Sequence, residues 1–406
     1  MHFIKILLVL SWVSDPYASE YCGIKNGKSF YSYLKTKGPM LDEVNKRKEQ
    51  FKPEITIAQQ RPNPEISFDY LKSDQFGLTS NSFNLTAQHI IEFGSKRDRR
   101  VAKAEVLNEL NNTQIDLSMY SSTSSAILIY QKTAQHELLI RAVKEASETF
   151  SKIVKKLSGR KQLNPEETVS LSTLRLASNE YLARLNDLEN QKSLLEGQVK
   201  FFSDCNNPGI SYAELNFPMI AKPLDSKNDS GLVRLEDVKV NLANKELDLQ
   251  KSLAYSNILV GPTVEFQNQG ADHFVSGGVA LSFSLPLFHA NDGGKNKAVK
   301  EFEFQKIQTK NNKRNLHIER ENLLKKYQRS ILTFKKMPSL KDLNRKHQEV
   351  EQLFSRGVVS IAMTIESHRQ QVDFLKSRFE IENDLLETYT KINLIDGELS
   401  SLDDLF

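Results

Sequence analysis

Cysteine is almost absent from this 406-residue chain, which has two, and there is a single tryptophan. Two thiols are too few for a disulfide-built scaffold or a cysteine-ligated metal module. Neither sign of charge dominates, with 55 Lys and Arg against 51 Asp and Glu and a formal net charge of +4. That balance lacks the one-sided basic footprint of a nucleic-acid binder. Long apolar runs are missing beyond the first residues, so any membrane crossing must use strands rather than helices. Composition nevertheless excludes general disorder, because 39% of residues are hydrophobic and 26% charged.

Chemistry-bearing motifs are also lacking. The sequence contains no nucleophile elbow, no phosphate-binding glycine loop and no HExxH. Glu166-Glu167 and Asp403-Asp404 read as solvated helix-end charges. The histidines, among them His89, His136, His273, His289, His317, His347 and His368, show no pairing at ligand spacing with cysteine or carboxylate support. No catalytic residue, cofactor or metal site is therefore expected, and the chain does not read as an enzyme.

The one strongly apolar run stands at the start. His2 and Lys5 flank Ile6 to Val13, followed by Pro16, Ala18 and Ser19. It is too short to span a bilayer and reads as a secretory signal over residues 1–19. In an exported chain Cys22 and Cys205 can form a disulfide; the other reading, a lipid on Cys22, lacks the small residue expected just ahead of it.

The rest of the sequence states one plan twice. Asn63-Pro64-Glu65-Ile66-Ser67-Phe68 is echoed by Gly261-Pro262-Thr263-Val264-Glu265-Phe266, and Leu41-Asp42-Glu43-Val44 by Leu235-Glu236-Asp237-Val238. Gly159 and Gly357 keep the same offset. Each copy parses as a helix, a strand pair, a very long helix, a glycine-marked turn and a returning helix. The first copy takes residues 20–205, with strands within 64–92 and a helical hairpin over 95–203. A linker over 206–231 leads to the second copy at 232–398, with strands within 260–288 and a hairpin over 293–398, and a tail at 399–406. Each long helix is expected to run some 60 residues, with Pro338 interrupting the second.

Helical stripes such as Leu174, Tyr181, Leu185, Leu188 and Leu195, or Ile365, His368, Val372, Leu375 and Phe379, have coiled-coil spacing. The strands carry the more specific signal. Val279, Leu281, Phe283 and Leu285 alternate with Ala280, Ser282 and Ser284, and Ile66, Phe68 and Tyr70 alternate with Ser67 and Asp69. A sheet of four strands with a greasy face needs cover for that face and closure for its edges. Lipid and a barrel shared between chains supply both, with Ile66, Phe68, Tyr70, Val279, Leu281, Phe283 and Leu285 facing lipid and Ser282 and Ser284 facing a lumen. A basic cluster follows each strand pair: Lys96, Arg97, Arg99 and Arg100, then Lys295 and Lys297. Cations there oppose a helix dipole, so they either meet lipid headgroups or form a solvated face paired with Asp98 and Glu301.

Arg61-Pro62-Asn63-Pro64-Glu65-Ile66, Val279 to Phe288 and the turn Phe354-Ser355-Arg356-Gly357-Val358-Val359-Ser360 occur in an order that resembles the TolC family of outer-membrane efflux channels, most like its heavy-metal branch. The resemblance implies a mainly α fold with a small β part, in which three chains give four strands each to one twelve-stranded barrel. Long helical hairpins continue the barrel as a periplasmic tunnel. It further implies a homotrimer in the outer membrane of a Gram-negative bacterium, acting as a passive exit duct for heavy-metal cations or drugs. An inner-membrane pump of the RND type and a periplasmic adaptor would deliver them, the adaptor docking at Gly159, Arg356, Gly357, Val358 and Ser360. The segment Ser158 to Glu167 departs from the family turn, with Asn164-Pro165 reading as a helix start. The competing reading is a coiled-coil scaffold or adaptor without a pore.

Overall fold

The computed structural model describes residues 22–75, 78–220, 231–269 and 271–406. The expected signal segment, and residues 221–230 of the expected linker, lie outside them. Helix α1 (Gly27–Thr36) leads into the first copy: α2 (Pro39–Gln59), β1 (Glu65–Gln75), β2 (Leu78–Ile91), α3 (Lys96–Ser158) and α4 (Pro165–Ser203). The second copy is α5 (Gly231–Ser252), β3 (Ile258–Gln269), β4 (Asp272–Phe283), α6 (Asp292–Lys336), α7 (Leu340–Ser355) and α8 (Ile361–Asp396). A short 3-10 turn, Ser401–Leu405, follows.

The repeat is visible in backbone angles as well as in element order. Ser95 and Asn291, which open α3 and α6 after the two strand pairs, share the same left-handed conformation, φ 55 and ψ 34. That region is uncommon for residues with a Cβ, so its use at both joints marks one geometric solution used twice. Gly94 precedes the first joint at φ +73, where a Cβ would stand 2.4 Å from the Tyr255 ring.

The first long helix meets its expectation, with 63 residues and roughly 95 Å of length. The second falls short. α6 stops after 45 residues because Pro338 has no N–H and forces Met337 into extended backbone, φ −70 and ψ 143. Ser339 then restarts the helix as α7, its Oγ accepting the Asp342 N–H at 3.1 Å. The returning helix α4 begins at the Asn164 capping box, in which Glu167 N donates to Asn164 Oδ1 at 2.7 Å and Asn164 N donates to Glu167 Oε2 at 3.1 Å.

The coiled-coil stripes become the core. Towards the hairpin turns, Phe150 and Ile153 of α3 pack with Leu174 and Tyr181 of α4 and Val372, Leu375 and Phe379 of α8. Further along, Tyr120 and Ile127 meet Tyr327, Ile331 and Phe334 of α6 and Leu385, Leu386 and Tyr389 of α8. The segment after α4 is strapped onto this belt. Leu215 and Phe217 are buried, Asn216 N donates to Leu405 O at 3.0 Å, and Tyr327 Oη donates to Pro218 O at 2.7 Å. The same strap completes a buried polar knot around Glu382, which accepts from Gln131, Gln135, Tyr212 and Leu215 N. Burial pushes that carboxyl above the usual carboxylate range.

Cys22 and Cys205 form a disulfide across 183 residues, with Cα atoms 6.3 Å apart. This uses the Cys22 sulfur that a lipid would need, and it fastens the segment ahead of α1 to the end of α4. Closing so long a loop removes much unfolded-chain entropy, so Cys205→Ser should cost about 2–5 kcal/mol. Circular dichroism melts of the variant should show a lowered midpoint, and an unchanged midpoint would mean the bond contributes nothing.

Candidate functional site

The strands form a single antiparallel sheet in the order β1-β2-β3-β4, so β1 and β4 are open edges. Cross-strand register sorts the side chains into rows. One row runs Tyr70, Phe83, Phe266, Val275 and the next Phe68, Leu85, Val264, Gly277. Ile66 and Ala87, then Pro262 and Val279, continue the same face, followed by His89, Val260 and Leu281, and by Ile91, Ile258 and Phe283. Aromatic contacts cross the strands on it, with Phe68 and Phe83 ring centroids 4.1 Å apart and Phe83 and Phe266 6.0 Å apart.

The opposite face is polar over most of its height. Its rows read Ser67, Thr86, Thr263, Gly278 and Asp69, Asn84, Glu265, Ser276. Thr86 and Thr263 hydroxyls meet at 2.8 Å, and Thr263 Oγ1 donates to Asn84 Oδ1 at 2.7 Å. Segregation of this kind requires different media on the two sides. Within one chain nothing described covers the apolar side: Ile66 is 74% exposed, Val279 76% and Leu281 63%.

Gly261 sits where β3 presses hardest on β2. A Cβ there would lie 1.8 Å from the Ala87 carbonyl oxygen. Its neighbour Pro262 brings no N–H to the ladder, and regular pairing skips from Thr86–Thr263 to His89–Val260. The second strand pair ends earlier than the sequence indicated. β4 stops at Phe283, so Ser284 and Leu285 lie beyond the sheet, where Pro286 denies the ladder a donor and restrains the residue before it. Ser282 remains in β4, on the face opposite Leu281 and Phe283. At the other end Lys72 to Gln75 stay paired with β2, so the first hairpin extends to the Gln75–Leu78 pair.

The basic residues after the sheet have protein partners, and these differ from the expected Asp98 and Glu301. Lys96 is buried and donates to Asn257 Oδ1 at 2.5 Å, Arg97 donates to Gln59 O at 2.8 Å, and Arg99 lies 3.5 Å from Asp248. Arg100 grips Glu92 with two bonds of 2.5 and 2.9 Å, and it is the chief cause holding that carboxyl below its usual range. Lys295 pairs with Asp292 at 2.7 Å, and Lys297 is exposed. These cations brace the joint between sheet and helices, using acids from α5 and from the end of β2 that linear spacing does not reveal.

The two turns differ. Arg356, Gly357, Val358 and Ser360 are exposed, and Gly357 closes α7 at φ +75 while Val358 N donates to Leu353 O at 3.0 Å. Ser360 then caps α8 through the Met363 N–H. Gly159, despite its matching offset, is right-handed at φ −81, so that turn follows another path. One expectation is overturned: the histidines do cluster. His347 of α7 and His368 of α8 have ring centroids 4.6 Å apart, with Glu351 beside both. The partners come from two helices, and spacing along the chain hid them.

No protein-family model matches the sequence, and no curated protein matches it. Solved structures do. The outer membrane channel CmeC of Campylobacter jejuni superposes with a TM-score of 0.68 at 12% identity, covering 98% of this chain and 93% of that one. The outer membrane protein VceC of Vibrio cholerae gives 0.66 at 10% identity, covering 91% and 96%. CusC, described as forming a transmembrane channel, gives 0.67 at 10% identity, covering 91% and 92%. The chain therefore has the two-repeat, mainly helical fold of these outer-membrane channels, and near-equal scores single out no branch among them.

Gly261→Ala should force β3 away from β2 and cost about 2 kcal/mol or more. Faster amide exchange at Thr86 and Thr263 would report the parted strands, whereas wild-type protection would show that the backbone has room.

Proposed function

We propose that three copies of this chain form an outer-membrane channel, the passive exit duct of a tripartite efflux system. The observation that carries it is the sheet with one exposed apolar face, one polar face and two open edges. Three four-stranded sheets joined edge to edge, β4 of one copy against β1 of the next, give twelve strands, within the size range of outer-membrane barrels. Strands of 11 to 14 residues run about 36–46 Å, enough to cross the apolar zone at a 40° tilt. Ile66, Phe68, Tyr70, Val279, Leu281 and Phe283 then face lipid and Ser282 the lumen, while Leu285 and Ser284 sit just past the strand end.

The helices support association independently. α4 shows Val169, Leu176, Leu194 and Phe201 exposed along one stripe, and α6 shows Ile307, Ile318 and Leu332 along another. Exposed apolar stripes at helical spacing want a neighbouring helix, and a second copy supplies one. The turns at Gly159 and at Arg356, Gly357, Val358 and Ser360 are the surfaces for a periplasmic adaptor and, through it, an inner-membrane pump of the RND type. Cargo of the heavy-metal cation or drug class enters from that pump, because the chain itself offers no energy-coupling chemistry.

Two measurements test this. Detergent-extracted protein should have the mass of three chains and, inserted into a planar bilayer, pass ions in unitary steps; a monomer without conductance overturns the reading. Val279→Arg should cost about 2–4 kcal/mol per chain in lipid. The variant should wash out of membranes with carbonate while the wild type stays.

A further inference from the structure

Helix α7 is held to the molecule in an unusual way. Its one fully buried side chain is His347, a polar residue, while Leu340, Leu343 and Phe354 are only partly covered. His347 packs against His368, which is 1% exposed and touches Phe150 edge-on at 5.3 Å between ring centroids. All four ring nitrogens of the two histidines are buried and lack a hydrogen-bond partner. Buried imidazole nitrogens are normally satisfied, so a missing partner is indicated.

The surroundings say which kind. Glu351 Oε1 stands 3.6 Å from His368 Nε2 and 3.9 Å from His347 Nε2, and Glu145 Oε1 of α3 stands 3.7 Å from His347 Nε2. One ligand atom from each of His347, Glu351 and His368 falls within 4.8 Å of the others. In a tetrahedral zinc site with bonds of about 2.0–2.1 Å, ligand atoms are roughly 3.4 Å apart. The histidine–glutamate pairs are 3.6–3.9 Å apart and the group as a whole falls within 4.8 Å, so a bound ion would draw the side chains inward. Neutral imidazole is the ligating form, and burial disfavours the charged one, with His368 only 1% exposed. A cavity of about 240 Å³, lined in part by Glu145, Arg141, Asn344, Gln348 and His347, gives access from the side.

We propose that His347, His368 and Glu351, with Glu145 as fourth ligand, form a binding site for a divalent first-row transition metal of the zinc type. Two imidazoles with carboxylates suit such an ion and are a poor match for magnesium or calcium, which take oxygen ligands. The ion joins α7 to α8 and, through Glu145, to α3. The histidines lie ten residues before Gly357 and eight after Ser360, about 12–15 Å behind the turn. Occupancy thus clasps the hairpin at its base, and this holds whether or not the assembled protein conducts.

The test uses the full detergent-solubilised protein after chelator dialysis. Titration with Zn²⁺ should give one ion per chain, and Co²⁺ should give the strong visible absorption of four-coordinate cobalt, bleached by added Zn²⁺. His347→Ala and Glu351→Gln should each weaken Zn²⁺ binding more than tenfold and abolish the cobalt band, with unchanged circular dichroism. Glu351 is half-buried, so its variant decides the matter if a histidine variant fails to fold. His317→Ala, which removes an exposed histidine near Glu321, should change nothing. Binding at no defined stoichiometry, or equal binding by wild type and Glu351→Gln, would overturn the site.

Discussion

A hydrogen-bonded sheet of four strands that is apolar on one face and open at both edges governs the rest of this structure. Water wets neither the exposed Val279 and Leu281 side chains nor a long unpaired strand edge at low cost. The helices do not fold back over the sheet; Gly94 with Ser95, and Asn291, turn the chain so that α3 and α6 leave its end. A fold that spends two left-handed joints on directing its helices away from an apolar surface is shaped for that surface to be covered by something outside the chain.

The helical part solves a different problem. α3 alone is 63 residues long, far more than a compact core requires, so its buried face is served in turn by α4, α8, α6 and the strap after α4. Several charged groups inside this stack are matched locally. Glu382 takes four donors, and Arg378, 2% exposed, pairs with Glu214 and lies 4.3 Å over the Phe334 ring. Arg320 binds Asp396 with two bonds of 2.6 and 2.7 Å. Ionic contacts of this quality fix the register of long helices, which a heptad stripe of leucines leaves free to slip.

Much of this was legible because it is local. Alternation from Ile66 to Tyr70 and from Val275 to Phe283 reports which face each side chain takes, and Asn164-Pro165 and Pro338 mark a helix start and a helix end by their own backbone chemistry. The end of β4 was misjudged because apolar alternation runs on through Leu285 and Leu287 after Pro286 has already ended the pairing. The roles of Lys96, Arg97, Arg99 and Arg100 were opaque for a different reason. Their partners Asn257, Gln59, Asp248 and Glu92 come from other elements, and only the folded chain brings them within reach. The same holds for His347 and His368, twenty-one residues apart and joined by the turn at Gly357.

The two copies differ most where Pro338 divides the second long helix. In the first copy α3 passes without interruption into its turn, so that hairpin inherits the stiffness of a continuous rod. In the second, the break separates the 16-residue α7 from α6, and Ser339 and Gly357 cap it at either end as an independent piece. A short amphipathic helix contributes little stability of its own and depends on what its inner face touches. That face offers a buried histidine and three half-covered apolar side chains, so α7 is only lightly anchored to its neighbours. The two hairpins are similar in plan, and a single proline divides one of them, leaving a short segment whose position a bound group can set.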